Sequence, residues 1–186
     1  SNPDILLLGN LHPKIQLSAI NQLNNKPSAI ILDTMNYWIE NFWETVKEVI
    51  SKVDIISIND EESEMITGHK DLSEAAGVLH SMGPKYVIIK KGKNGAELFN
   101  YEKRYVTGAF EVDKVIDPTG AGDCFIGGIS GFLSQSDEIS FESIKLAIDY
   151  GTSLASFNVE EMGTKNLLNL SMNDIQTRVN KLIIGE

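Results

Sequence analysis

Four short apolar runs alternate along the first half of the chain with segments whose apolar residues recur at helical spacing. The runs are almost continuously apolar, which is typical of strands buried on both faces of a parallel sheet. They lie at Ile5–Leu8, Ala29–Leu32, Ile55–Ile58 and Tyr86–Ile89. The helical segments lie at Ile15–Leu23, Phe42–Val49, Glu61–Thr67 and Ser73–Met82. Strand alternating with helix predicts βαβ units with right-handed crossovers.

The pattern changes after the fourth apolar run. Ala96–Phe99 and Tyr105–Thr107 have strand character, and the turn between them at Asn100–Lys103 predicts an antiparallel pair. The remaining segments are helical and lie at Ala121–Leu133, Phe141–Phe157 and Met172–Ile183. No internal repeat, low-complexity tract or linker is visible. Residues 1–186 are therefore predicted to form a single α/β unit with a mainly parallel sheet flanked by helices.

Composition narrows the classes of function. The chain has 186 residues, of which 42% are hydrophobic and 23% charged, and this mix is ordinary for a globular domain. Its net charge of −10 argues against a protein that binds nucleic acid by neutralising phosphates, although local donors can still hold a nucleotide. One cysteine and three scattered histidines predict neither a disulfide nor a zinc site. No membrane span or signal peptide is visible, so we expect a reducing cytoplasm.

The segment from Asp117 to Asp123 reads Asp-Pro-Thr-Gly-Ala-Gly-Asp and opens an apolar helix. Its small residues leave the first-turn N–H groups open to a ligand, and these donors with the helix dipole favour an anion. Asp123 in that turn could accept a proton from a hydroxyl while the N–H groups hold a developing phosphoryl charge. A simple turn followed by a favourable first-turn acid is the alternative, and these residues alone leave both open.

This segment resembles, position for position, the second signature of the PfkB (ribokinase-like) carbohydrate kinase family, Asp-x-x-Gly-Ala-Gly-Asp. The resemblance implies a ribokinase-like α/β fold and ATP-dependent phosphorylation of a hydroxyl on a sugar or sugar-like acceptor. It implies that Asp123 is the catalytic base and that Asp117 and Thr119 lie beside the ATP phosphates. It also implies an anion hole formed by three backbone amides, those of Gly120, Ala121 and Gly122.

Asn59 and Glu62 follow the third predicted strand, at the carboxyl end where open α/β sheets bind ligands. They resemble the family's Asn-x-x-Glu motif, which implies that they organise Mg²⁺ and phosphate through water. Mg²⁺ keeps several of its waters, so an amide and a carboxylate in this indirect role suit its chemistry. The same pair also fits a capping box at a helix start, and both interpretations can hold at once.

The segment from Lys90 to Ala96 resembles the family's Gly-x-x-Gly-Ala turn beside the nucleotide phosphates. The resemblance implies that the backbone near Gly92 and Gly95 approaches the nucleotide. A plain hairpin turn with solvated lysines, indicated by Asn94 followed by Gly95, is the alternative.

The helical segment from Tyr150 to Asn158 is rich in small residues. In the family, this helix and the loop after it border the adenine, which implies that Gly151 and Asn158 are neighbours of the base or ribose. Ordinary helix packing is an equally weighted alternative. Asp33 and Asn36 only loosely match the family's Asp-x-Asn-x-Arg segment, since the Asn comes one place late and no Arg follows. The resemblance therefore assigns neither of them a role.

The resemblance covers nearly the whole chain but only the carboxyl-terminal part of the family. The chain opens at Ser1 with no initiator Met, which fits a cloning scar, a processed end or an excised piece. Family members carry an amino-terminal region with the early strands, a β lid, the first glycine-rich signature and most sugar contacts. We expect that region to be absent here, which would expose a sheet edge and apolar surface.

The expected partners are ATP and a small-molecule alcohol, with Mg²⁺ as cofactor and with neither nucleic acid nor membrane involved. Two alternatives stay open: a nucleoside or vitamin-like alcohol kinase of the same fold, and a catalytically silent nucleotide-binding fragment. Family members often dimerise through the lid. A homodimer and pairing with a missing amino-terminal part are therefore both open.

Overall fold

The computed structural model describes residues 4–184, so the opening Ser1 to Pro3 lies outside the described residues. Within that range the chain forms six strands and eight α-helices. The strands are β1 (Ile5–Leu8), β2 (Ala29–Asp33), β3 (Ile55–Asn59), β4 (Tyr86–Lys90), β5 (Ala96–Phe99) and β6 (Arg104–Thr107). The helices are α1 (Pro13–Asn21), α2 (Asn36–Asn41), α3 (Trp43–Ile50), α4 (Asp60–Thr67), α5 (Leu72–Met82), α6 (Ala121–Leu133), α7 (Phe141–Val159) and α8 (Met172–Ile184).

The strands form one sheet in the order β1-β2-β3-β4-β5-β6. β1 to β4 are parallel, and β5 runs antiparallel to β4. This confirms the predicted α/β class with a mainly parallel sheet and a short antiparallel hairpin. β2, β3 and β4 are buried along most of their length, as expected for continuous apolar runs, whereas three of the four residues of the edge strand β1 are half-buried.

The described chain divides into two compact units. The first runs to Gly92 and adds Ala96–Val106, and the second comprises Lys93–Gly95 and Thr107 onward. The single α/β unit expected for residues 1–186 therefore stays a prediction, and each unit is described by itself.

The core of the first unit packs apolar side chains of β1 to β5 against α1, α3 and α5. Fully buried members include Leu32, Val49, Ile56 and Leu79. α3 and α5 present apolar residues at helical spacing to the sheet, as their sequence pattern predicts. This packing fixes the carboxyl ends of the parallel strands, where several polar residues stand.

The second unit is built on a close crossing of α6 and α7. A Cβ added to Gly128 would lie 2.8 Å from the Cα of Gly151, and one added to Gly151 would lie 2.4 Å from the Phe125 carbonyl oxygen. α8 packs on α7, where Arg178 pairs with Glu160 at 2.6 Å. Only glycine allows such a close approach of two helix backbones.

Helix α2 was not predicted from the sequence. It has only six residues, and its N-cap, Met35, makes no side-chain capping bond. Tertiary contacts support it, because the Trp38 indole N–H donates to the Asn10 side-chain oxygen at 2.7 Å and Ile39 is buried. In the described residues no helix is both long and apolar enough to cross a membrane.

Candidate functional site

The start of α6 is the segment for which the sequence predicts an anion site. Gly120 is the N-cap and has φ +82°, a left-handed conformation that favours glycine. The helix it opens has 13 residues, and no side chain caps it in the part of the chain described. Its first-turn N–H groups and its dipole can therefore act together on a bound anion.

The turn before α6 is held by local hydrogen bonds. The Asp117 carboxylate accepts the Thr119 N–H at 2.9 Å. The backbone and then the side chain of Thr119, with the Gly163 backbone, hold the pKa of Asp117 below its ordinary value. The Ala121 N–H donates to the Pro118 carbonyl at 3.2 Å. Of the three amides predicted to form the anion hole, that of Ala121 is thus used inside the turn.

Asp123 lies in the first turn of α6 and is exposed. Its carboxylate is therefore open to an incoming hydroxyl, as a general base requires. The next residue, Cys124, is half-buried, and burial followed by the negative charge of Asp123 raises the pKa of its thiol. A raised pKa disfavours the reactive thiolate of Cys124.

The carboxyl end of α7 holds the turn from the other side. The Asn158 side-chain amide donates to the Thr119 carbonyl at 2.8 Å, and Asn158 is only 2% exposed. The Val159 carbonyl accepts the N–H groups of Ile116 and Asp117 at 2.7 and 3.2 Å. The structure thus brings Asn158 beside Gly120. A contact of Asn158 with adenine or ribose stays a prediction.

Gly151 is buried in the crossing of α6 and α7. This packing requires a glycine at position 151, in agreement with the helix-packing alternative that the sequence left open. Its predicted place beside the base or ribose stays a prediction.

In the first unit, the carboxyl ends of β2, β3 and β4 bring polar side chains to one face of the sheet. The register pairs Asp33 with Ser57 and Asn59 with Lys90. The Lys90 ammonium reaches across β3 to the Asp33 carboxylate at 2.5 Å, and both side chains are mostly buried. Sequence reasoning missed this ion pair, because only the strand order makes the two positions neighbours.

Asn59 and Glu62 form the capping box that their spacing predicts. The Asn59 side chain accepts the Glu62 N–H at 2.7 Å, and the Glu62 carboxylate accepts the Asn59 N–H at 2.8 Å. Burial raises the pKa of the Glu62 carboxyl, while the Asn59 bond and the positive charge of Lys90 oppose that shift. The capping interpretation is confirmed, and the metal role stays a prediction.

The described residues contain no group of three or more His, Cys, Asp or Glu side chains that could hold a metal ion directly. One carboxylate oxygen of Glu62 takes no part in the capping box. That oxygen suits a bond to the water of a hydrated Mg²⁺ better than direct coordination, because Mg²⁺ gives up its waters reluctantly. Asn59 and Glu62 therefore fit an indirect magnesium role.

The glycines after β4 have different surroundings. Gly95 has φ +82°, and a Cβ there would lie 1.9 Å from the Thr107 carbonyl oxygen. Gly92 has φ +54° and no atom within 4 Å of an added Cβ, so its backbone is open to a ligand. The lysines are not all solvated, because Lys91 pairs with the buried Glu97 at 2.8 Å. Contact of either glycine with nucleotide stays a prediction.

Comparison with known proteins relates the sequence of this chain to a protein family. Residues 10–170 match the family model described as pfkB family carbohydrate kinase. The cytidine kinase of Thermococcus kodakarensis is 30% identical over 141 residues, which cover 74% of this chain and 50% of that protein. The chain thus spans half the length of this curated relative.

Solved structures share the fold. A fructokinase from Vibrio cholerae, with fructose, ADP and a calcium ion bound, has a TM-score of 0.79 at 18% identity, covering 98% of this chain and 61% of that chain. An aminoimidazole riboside kinase from Salmonella enterica, complexed with aminoimidazole riboside and an ATP analogue, has a TM-score of 0.77 at 19% identity. The match covers 95% of this chain and 64% of that chain. At these identities the likeness shows the fold alone. The match of the family model over most of the sequence shows that this chain belongs to the pfkB family of carbohydrate kinases.

Proposed function

We propose that the chain carries the phosphoryl-transfer machinery of an ATP-dependent kinase that phosphorylates a hydroxyl of a sugar or sugar-like acceptor. The observation that carries this proposal is the start of α6, where left-handed Gly120 leads into a first turn that contains the exposed Asp123. Family membership supports the same reaction class.

In this proposal, the Asp123 carboxylate removes the proton of the acceptor hydroxyl. The first-turn N–H groups of α6, above all that of Gly122 with the N–H of Gly120, stabilise charge on the transferred phosphoryl group. A carboxylate is a sufficient base, because phosphoryl transfer passes through a loose transition state and depends mainly on positioning and charge. Asp117 and Thr119 shape the turn beside the phosphates.

ATP is the proposed phosphoryl donor, and the start of α6 suits its phosphates. Mg²⁺ would be held through water by Asn59 and Glu62, and when bound it neutralises negative charge on the phosphates. A cytoplasmic setting, the absence of a nucleic-acid or membrane partner, and the choice between a homodimer and pairing with further chain remain parts of this proposal.

The test is the variant Asp123→Asn in the natural protein that contains this chain, assayed for ATP turnover with a panel of sugars and nucleosides. We expect turnover to fall by about a thousandfold or more, since removal of a general base costs 10² to 10⁴ and Asn cannot accept the proton. ATP binding, measured by calorimetry, should be unchanged. Turnover within tenfold of the wild-type rate would contradict the base assignment.

A nucleoside acceptor is the second candidate, and the 30% identity to a cytidine kinase favours it. The same panel separates the two, since a nucleoside kinase should prefer cytidine or another nucleoside to free ribose and fructose. ATP binding without turnover on any acceptor would instead favour the silent nucleotide-binding fragment.

A further inference from the structure

We propose that Asn158 is a positioning residue that sets the direction of the Gly120 N–H in the anion site. The inference rests on the proposed function, because it concerns the same turn at the start of α6. It differs from the role of base or ribose neighbour that the family resemblance implies for Asn158.

The argument begins with the peptide unit between Thr119 and Gly120. The Thr119 carbonyl and the Gly120 N–H belong to this one planar group and point in opposite directions. The Asn158 side-chain amide donates to that carbonyl at 2.8 Å. Holding the carbonyl oxygen therefore fixes the whole plane and turns the Gly120 N–H away from Asn158.

The position and burial of the Asn158 side chain favour this restraint. A Cβ built on Gly120 would lie 3.7 Å from the Asn158 amide nitrogen and 3.8 Å from its amide oxygen. The amide group thus lies close to Gly120 as well as bonding to the preceding carbonyl. Asn158 is only 2% exposed, so water does not compete freely for its hydrogen bond.

The neighbouring bonds show why this side chain matters. Val159 holds Ile116 and Asp117 through its backbone carbonyl, and Asp117 holds the Thr119 N–H. The bond of Asn158 to the Thr119 carbonyl comes from a side chain of α7, so substitution can remove it. Left-handed Gly120 has a flexible backbone without it, since glycine visits many conformations at little cost.

The test uses the natural protein that contains this chain and its variants Asn158→Leu and Asn158→Gln. Leu keeps the size of the side chain and removes the donor, whereas Gln keeps the donor. The matched control is Asn166→Leu, because the Asn166 amide also donates to a backbone carbonyl of α7, that of Phe157, at 3.0 Å. Amide chemical shifts of Gly120 and Gly122 are followed by NMR during titration with inorganic phosphate.

We expect wild type and the Asn166→Leu control to show phosphate-dependent shifts of both glycine amides. Asn158→Leu should lose most of the Gly120 shift and weaken phosphate binding about tenfold, and Asn158→Gln should restore part of it. Unchanged shifts and affinity in a folded Asn158→Leu would overturn the inference. Equal losses in Asn158→Leu and Asn166→Leu would also overturn it, since they would reflect general destabilisation.

Wild-type protein provides a measurement that does not depend on a folded variant. With MgADP added, the side-chain amide protons of Asn158 should show no nuclear Overhauser contact with the adenine protons. Such a contact would make Asn158 a ligand neighbour and reject the positioning role. If wild type binds neither phosphate nor MgADP, the proposed function fails along with this inference. Binding by wild type with an indifferent Asn158→Leu rejects the inference alone.

Discussion

At the scale of single residues, the Asp33–Lys90 pair joins two strands that are not adjacent in the sheet. The exposed fractions of the two side chains are 9% and 19%, so the charges are largely withdrawn from water. A buried charge that loses its partner is costly, whereas an exposed pair contributes little. The pair therefore holds the carboxyl ends of β2 and β4 together across β3.

Lys90→Met should lower the free energy of unfolding by about 3 kcal/mol, because it removes the positive charge that faces the largely buried Asp33 carboxylate. Urea denaturation measures the change. Lys26→Met is the control, since Lys26 is 68% exposed in its pair with Asp54 and should cost about 1 kcal/mol or less. The double variant Asp33→Asn with Lys90→Met should recover part of the loss. Strictly additive losses would contradict a coupled pair.

Asp149 on α7 is a buried acid outside the proposed chemistry. It is 2% exposed, and burial raises the pKa of its carboxyl to about 6, with the positive charge of Lys145 opposing the shift. The folded state therefore binds this proton more tightly than the unfolded state, whose pKa is near 3.8. The protonated Asp149 carboxyl therefore contributes to stability in full below the pKa of the unfolded state, and this contribution is lost as the pH rises from about 4 to about 6.

Asp149→Asn should consequently raise the free energy of unfolding at pH 8, by up to about 3 kcal/mol for a shift of about two pKa units. The gain in the free energy of unfolding should shrink towards pH 4, where the buried Asp149 of the wild type is protonated and therefore neutral, as the asparagine of the variant is at every pH. Denaturation at a series of pH values measures it, and Asp137→Asn at an exposed loop position is the control. A gain that does not depend on pH would mean that Asp149 is not the titrating group.

At the scale of elements, the start of α6 depends on how closely α6 and α7 approach. Gly128 and Gly151 face each other at the crossing, while Gly127 on the same helix α6 has no atom within 4 Å of an added Cβ. Replacing an exposed helical glycine by alanine stabilises the helix, whereas a methyl group added in a tight helix crossing destabilises the fold.

Gly151→Ala should lower the free energy of unfolding by about 2 kcal/mol or more, because the new methyl group would lie 2.4 Å from the Phe125 carbonyl oxygen. Gly127→Ala should instead raise it by about 0.5 to 1 kcal/mol, since alanine favours the helix. Thermal unfolding followed by circular dichroism compares the two. Opposite signs are the expected result, and a neutral Gly151→Ala would show that the crossing can open without cost.

At the scale of the whole molecule, nucleotide binding should couple to the folding equilibrium of the chain. A ligand at one hundred times its dissociation constant stabilises the native state by about 2.7 kcal/mol. For a chain of 186 residues this corresponds to a rise in Tm of roughly 5 to 10 °C. The rise should depend on ATP together with Mg²⁺, and calorimetry with and without each one tests it.

Asp123→Asn should keep that rise in Tm, because the base acts on the acceptor and not on the bound nucleotide. The wild type without any rise at saturating MgATP would contradict a nucleotide site in this chain. A rise in wild type that Asp123→Asn abolishes would place Asp123 in nucleotide binding and not in proton transfer.

Much of the local structure followed from the sequence alone. The strands from Ile5, Ala29, Ile55 and Tyr86 and the helix Ala121–Leu133 agree with the structure, since strong apolar periodicity reports burial directly. Family membership was equally readable, because the Asp-x-x-Gly-Ala-Gly-Asp motif is local in the chain. The capping box of Asn59 and Glu62 is local too.

Only the tertiary structure decided the contacts between distant segments. The Asp33–Lys90 pair spans 57 positions and exists because β3 separates β2 from β4 in the sheet. Helix α2 lacks a capping signal and depends on long-range packing. Asn158 meets Thr119 across 39 positions, so the sequence placed it near a nucleotide while the structure shows its amide on the backbone of the anion turn. Periodicity and motifs record local burial and local geometry, whereas partners brought together by chain topology leave no comparable trace in the order of residues.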